Sequence, residues 1–305
     1  MNALPNALPS ATRHQYFSFA RIGAIASNTL LELIRLKVFY FILIFALVMI
    51  SSSFFLVKLS FQAQFQVLKD VALGAMSIFT WLLAVLSTAM LLPKDIEDRT
   101  LYTILAKPVP RFEYLLGKLL GVLLLLFVAL SLMSVLFVVV LYAKQQSAIA
   151  ELTAHAAPGA MSAQMSAQIQ DILSQTFTWN LVPGIIFIYL KAALCASLTL
   201  LLSTFASSTI FTIMVSVVLY IIGHVQPIAR DYIMHNTLGA SPAMIIYLSL
   251  ISLLIPDLTA FSLVDDIAAG TAISTILFVK TAGMGAVYIV VYFLVGYFVF
   301  WAKEL

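Results

Sequence analysis

Long apolar runs separated by short polar links organise this chain, and their lengths decide the class of fold. A helix needs about 20 apolar residues to cross roughly 30 Å of hydrocarbon, because backbone groups in lipid must satisfy one another within the segment. Six runs meet that requirement: 38–57, 71–92, 119–142, 181–202, 203–223 and 281–301. The fourth and fifth adjoin at Ser203-Thr204-Phe205-Ala206-Ser207-Ser208, a polar stretch that predicts a tight turn between antiparallel helices. Two further runs, 243–255 and 267–279, are too short to cross. They suit re-entrant or interfacial helices before the last span, or one irregular additional span. The expected fold is an all-α integral membrane protein with six transmembrane helices.

The polar positions refine this layout. Within 20–37, Ile22, Ile25, Ala26, Leu30 and Leu33 share one side and Asn28, Glu32 and Arg35 another. That pattern predicts an amphipathic helix lying along the membrane surface ahead of the first span. Residues 1–37 then form an N-terminal part and 38–305 a single transmembrane domain. Insertions at 143–180 and 224–280 fall on the side opposite the termini. In the first, Pro158-Gly159 is a breaker and Met161 to Leu173 suits a short surface helix.

Composition agrees with membrane residence: 63% of residues are hydrophobic, 10% are charged and the mean hydropathy is +1.08, against roughly 25% charged in soluble domains. The net charge of +3 is dispersed among apolar runs, which argues against a nucleic-acid partner. Lys and Arg are concentrated on one side. Arg13, Arg21, Arg35, Lys37, Lys94, Arg99, Lys107, Arg111, Lys118 and Lys303 oppose Lys58, Lys69, Lys144, Arg230 and Lys280. Positively charged loops are retained in the cytoplasm, so both termini are expected there. The 37 residues before the first span carry Arg13, Arg21, Glu32, Arg35 and Lys37, unlike a cleaved leader.

Candidate chemistry is sparse. The six runs hold no Asp or Glu, and their one charge is Lys191, near the middle of the fourth. An ionisable group there is costly, and it suggests either a residue facing a cavity or an anionic substrate group, or a lysine relieved by reaching water. Without an intramembrane carboxylate, a proton- or sodium-coupled carrier is disfavoured. The chain has no G-x-x-x-x-G-K-[ST] phosphate loop, no zinc-spaced Cys/His cluster and no G-x-S-x-G elbow. No catalytic residue or metal ligand is expected. His14, His155, His224 and His235 are scattered, and the single Cys195 reads as a packing residue.

The densest signal lies between the second and third runs. Pro93 suits a first helical turn, Asp95, Glu97 and Asp98 sit where a helix dipole favours acids, and Leu101, Ile104 and Leu105 form an apolar stripe. Pro108 and Pro110 stop that helix. Gly117 and Gly121 then permit close approach of a neighbouring helix at the entry to the third span.

This segment resembles one in a known family. Asp95-Ile96-Glu97-x-x-Thr100-Leu101, then Leu105-x-x-Pro108-Val109-x-Arg111, then Tyr114-x-x-Gly117-Lys118-x-x-Gly121 is similar to the segment after the second span of ABC-2-type exporter permeases, especially multi-copper enzyme maturation permeases. Arg99 stands where many members have Gly, and Pro110 where they have Ser. Ile255-Pro256-Asp257-Leu258-Thr259-Ala260-Phe261 also resembles a Leu-Pro-Asn-Leu-x-x-Phe stretch of that family. The resemblance implies a coupling helix between spans two and three that docks on a cytoplasmic ABC ATPase. On this chain it would use Asp95, Ile96, Glu97, Arg99, Thr100, Leu101, Ile104, Leu105, Pro108 and Arg111. It further implies a non-catalytic permease, paired with a second copy or a related permease in the inner (plasma) membrane, exporting a substrate. ATP and Mg would be bound by the partner and no cofactor by this chain. The alternatives are an ABC-type complex that transmits force to an extracytoplasmic partner without translocation, and a carrier or channel that needs no ATPase.

Overall fold

A computed structural model describes residues 17–56, 64–97, 110–154, 163–176, 181–206, 208–235, 243, 246, 249–251, 254–262 and 274–302. Uninterrupted apolar sequence makes helices the only way to satisfy the backbone, and helices are what these residues form. In chain order they are α1 (Phe19–Ile34), α2 (Lys37–Leu56), α3 (Gln64–Glu97), α4 (Arg111–Ala154), α5 (Ala163–Thr176), α6 (Leu181–Phe205), α7 (Thr209–His235) and α8 (Thr275–Ala302). A 3₁₀ turn spans Thr259–Phe261. Helices α2, α3, α4, α6, α7 and α8 are each long and apolar enough to cross a membrane.

The bundle is built around α3 and α6. Of their span residues, 61% and 72% are buried, against 28%, 17% and 28% for α2, α7 and α8. Helix α6 packs against α3, α4, α7 and α8. Leu68, Met76, Leu125, Phe137 and Ile188 meet in the largest cluster. The outer faces stay apolar: Phe41, Ile210, Phe211, Met214, Val287 and Phe298 are exposed, which is the surface expected where lipid replaces water.

Successive spans run in opposite directions. One end of the bundle, here the linker end, therefore holds α1, the end of α3, the start of α4, the end of α6, the start of α7 and the end of α8. The other end holds α5, packed on α4.

Four boundaries differ from the sequence reading. Pro93 does not open a new helix; it lies inside α3, which continues to Glu97. A proline removes only its own N–H donor, and burial of Asp95 against α4 keeps the following turn helical. Helix α4 has 44 residues, reaching about 66 Å at 1.5 Å per residue, about twice the hydrocarbon thickness. The insertion expected from 143 is thus helical to Ala154, where Lys144 and Gln145 are buried. Helix α7 runs on to His235 through Pro227, and α8 begins at Thr275.

Of the run 243–255, the residues 243, 246, 249–251 and 254 are helical. The chain then leaves the helix and packs against α6, α7 and α8 as an irregular plug, 255–262. Backbone of this kind is tolerated at depth only when protein surrounds it. Leu258 N–H donates to Gly223 O at 3.1 Å, Tyr292 Oη donates to Leu254 O at 2.7 Å, and Asp257 Oδ1 accepts from Thr259 N–H at 2.9 Å. Most of the run 267–279 lies outside the described residues.

Candidate functional site

The buried stripe of α1, Ile22, Ala26, Thr29 and Leu33, follows helical periodicity and lies along the start of α4. Two glycines make the contact close. A Cβ at Gly117 would stand 2.7 Å from Ile25 Cβ, and one at Gly121 would stand 2.6 Å from Thr29 Cβ and 2.9 Å from Ala26 O. No larger residue fits at either position without moving α1.

Charged groups bolt the same elements together. Arg21 meets Glu113 through two bonds, Nε to Oε2 at 2.6 Å and Nη2 to Oε1 at 2.9 Å. Ser18 N–H donates to Glu113 Oε1 at 3.0 Å. The hydrogen bond to Glu113 raises the pKa of Arg21 above its ordinary value, which keeps the pair ionised. Deeper in, Lys118 Nζ lies 2.7 Å from Asp95 Oδ2 and 3.7 Å from Glu32 Oε2. Lys94 Nζ reaches Glu32 Oε1 at 2.8 Å, and Tyr114 Oη donates to Asp95 Oδ2. The result is one clasp joining α1, α3 and α4, in which opposite charges relieve one another's burial.

Arg111 closes the end of the bundle. Its Nη1 donates to Trp301 O at 2.9 Å and Phe300 O at 3.3 Å, occupying carbonyls that a helix end leaves without partners. The chain on either side of residues 98–109 is therefore anchored, at Asp95 before them and at Arg111 after them.

This geometry sorts the expected coupling residues. Asp95 is buried and engaged by Lys118 and Tyr114, so it roots the link instead of offering a contact surface, and Arg111 is turned onto α8. Ile96 and Glu97 belong to the last turn of α3. Arg99, Thr100, Leu101, Ile104, Leu105 and Pro108 lie outside the described residues. From sequence, Glu32 was named only as part of a polar face, Lys94 and Lys118 as cations of one side, and Tyr114 and Lys118 as motif positions; none of them, nor Glu113, was given a part in joining α1, α3 and α4.

The second locus is interior. Lys191, at the middle of α6, is 4% exposed. Its Nζ donates to Ser262 Oγ on the plug at 2.6 Å and lies 5.5 Å from the centre of the Tyr220 ring. Trp81 of α3 stacks on Tyr220 with centroids 3.9 Å apart, and His224 follows one turn later on α7. A cavity of about 10 Å³ lined by Cys195, Ser216, Tyr220 and Leu258 adjoins them. Among the described residues no group of three or more His, Cys, Asp or Glu side chains is placed to hold a metal ion.

Two loci thus share one bundle, a charged clasp at the linker end and a polar chamber at mid-span. A family model described as "ABC-2 family transporter protein" matches residues 24–305. No curated protein matches the chain.

Proposed function

The chain belongs to the ABC-2 transporter family and is a multi-pass permease component of an ABC transporter; from that premise we propose that it exports a substrate using ATP hydrolysed by a separate cytoplasmic subunit. The observation that carries this reading is the rooting of the 98–109 link. A load applied there enters the bundle at Asp95 and Arg111, and from them reaches α1, α3, α4 and α8 through the clasp. Glu97, Leu101 and their neighbours would meet the ATPase, which would itself hold ATP and Mg. Two permeases and two ATPases would form the working unit.

ATP favouring the closed ATPase pair would displace both links and shift the bundle between conformations, since a ligand moves an equilibrium only by its differential affinity for the two states. Ten cations toward the linker end support a cytoplasmic placement of that end and both termini. Setting aside the lysines buried in helices, Lys118 on one side and Lys69 and Lys144 on the other, leaves nine cations against three. The membrane would be the inner (plasma) membrane.

A second reading draws on α4, whose far end runs well past the apolar span and carries α5 against it. This helical projection suits transmission of force to an extracytoplasmic partner, with the same ATPase as motor.

The test is affinity purification of the tagged full-length protein from its native cells. An ATP-binding subunit should co-purify with the wild type and be lost with Glu97→Lys and with Leu101→Asp. Recovery of the permease alone, or equal recovery of the subunit with both variants, overturns the docking assignment. ATP-dependent movement of a molecule across the membrane separates export from force transmission.

A further inference from the structure

A lysine buried among apolar spans is normally neutralised by a carboxylate or surrounded by acceptors. Among the described residues Lys191 has neither. Its ammonium carries three donors, and the contacts it makes are one hydroxyl, Ser262 Oγ, and the face of Tyr220. Asp257, the acid of the adjoining plug, makes no ion pair with Lys191 and turns one carboxylate oxygen to its own backbone. Its Oδ1 accepts from Thr259 N–H at 2.9 Å, Thr259 Oγ1 at 2.6 Å and Ala260 N–H at 3.3 Å.

The surroundings repeat the imbalance. Trp81, stacked on Tyr220, has its indole N–H buried without an acceptor, and Ser216 Oγ, one turn before Tyr220, is buried without a partner. Lys191, Trp81 and Ser216 therefore bring three groups able to donate to the surroundings of one tyrosine ring, two of them without a partner. A buried ammonium with further unused donors beside it is complementary to an anion.

We propose that this chamber binds an anionic group, a phosphate or carboxylate, on the molecule that the permease moves, with Lys191 as its counter-ion. The proposal rests on the permease reading and adds a substrate class to it. In the described conformation the adjoining cavity has room for about one water molecule. The anion therefore enters when the plug withdraws and Ser262 yields Lys191 to it. The plug acts as a stopper whose hydroxyl stands in for the missing acceptor. The bound group belongs either to the head of an amphiphile, whose chain the apolar bundle would accept, or to a free small anion.

Binding is read directly by tryptophan fluorescence. The full-length protein in neutral detergent, with Trp179→Phe and Trp301→Phe, keeps Trp81 as its one tryptophan beside Tyr220. It is titrated with dodecyl phosphate, inorganic phosphate and dodecyltrimethylammonium. Dodecyl phosphate should give a saturable change in Trp81 emission. Lys191→Met should weaken it by roughly tenfold or more, and Lys191→Arg should restore it. A saturable response to inorganic phosphate as well supports the site and assigns a free anion; a response that requires the chain assigns an amphiphile head group. An equal response to the cationic amphiphile, or unchanged affinity in Lys191→Met, overturns the proposal. Should Lys191→Met not fold, Ser262→Ala decides: it frees the ammonium and should bind dodecyl phosphate more tightly, and affinity no higher than wild type refutes the site. No ATPase is present in this assay, so its failure and the failure of the coupling reading are separable.

Discussion

Lys118 and Lys191 are buried to the same extent, each 4% exposed, yet the bundle treats them differently. Lys118 is held by Asp95 at 2.7 Å and Glu32 at 3.7 Å, with Tyr114 sharing the same Asp95 oxygen. Lys191 has a hydroxyl and an aromatic face. The first is part of a closed set of charges that fixes α1, α3 and α4 in one arrangement. The second has no counter-ion among the described residues, and its hydrogen-bond partner, Ser262, belongs to the irregular plug. A compensated buried charge serves rigidity; an uncompensated one, kept at mid-span, serves a ligand or a change of state.

The sharpest way to break this contrast is to remove each lysine's charge. Lys118→Met leaves Asp95 buried without its cation and should destabilise the protein by about 3–5 kcal/mol. Denaturant titration of the full-length protein in mixed micelles measures this, and adding Asp95→Asn should recover part of the loss. Next in size is Gly121→Val, which drives a side chain into Thr29 and the Ala26 carbonyl. It should cost about 1–3 kcal/mol and speed limited trypsin cleavage at Arg35, at the end of α1, as α1 lifts from α4. Lys191→Met should leave stability within about 1 kcal/mol of wild type or raise it, because an apolar chain replaces an unpaired charge, while anion binding is lost. A loss of stability equal to that of Lys118→Met would erase the distinction between the two lysines. Smallest is Lys94→Ala, whose side chain is 43% exposed; its pair with Glu32 should contribute less than about 1 kcal/mol and fade with salt.

What could be read from sequence follows the range of the interactions involved. The six spans were legible because length and apolarity act locally, and each run carries its own requirement for helix. Pro93 was misread for the same reason. Its local preference for a first turn is real, but Asp95, two residues on, is held by Lys118 and Tyr114 of another helix, and that tertiary bond keeps α3 helical. The clasp joins residues 92 apart at Arg21 and Glu113 and 62 apart at Glu32 and Lys94, so no window along the chain reveals it. Gly117 and Gly121 announced a close contact without naming the partner, which is α1. Lys191 stood out as a charge inside an apolar run. Ser262, Trp81 and Tyr220, which define its chamber, come from three separate elements and carry no marker of their own.

The central claim is that the 98–109 link is where the permease receives its ATPase. A photo-crosslinking side chain at Leu101, with a control at Thr153 on the opposite end of the bundle, tests it in intact cells. The account predicts a covalent product with an ATP-binding protein from position 101 and none from position 153. A product from 153, or no such product from either position, would contradict it.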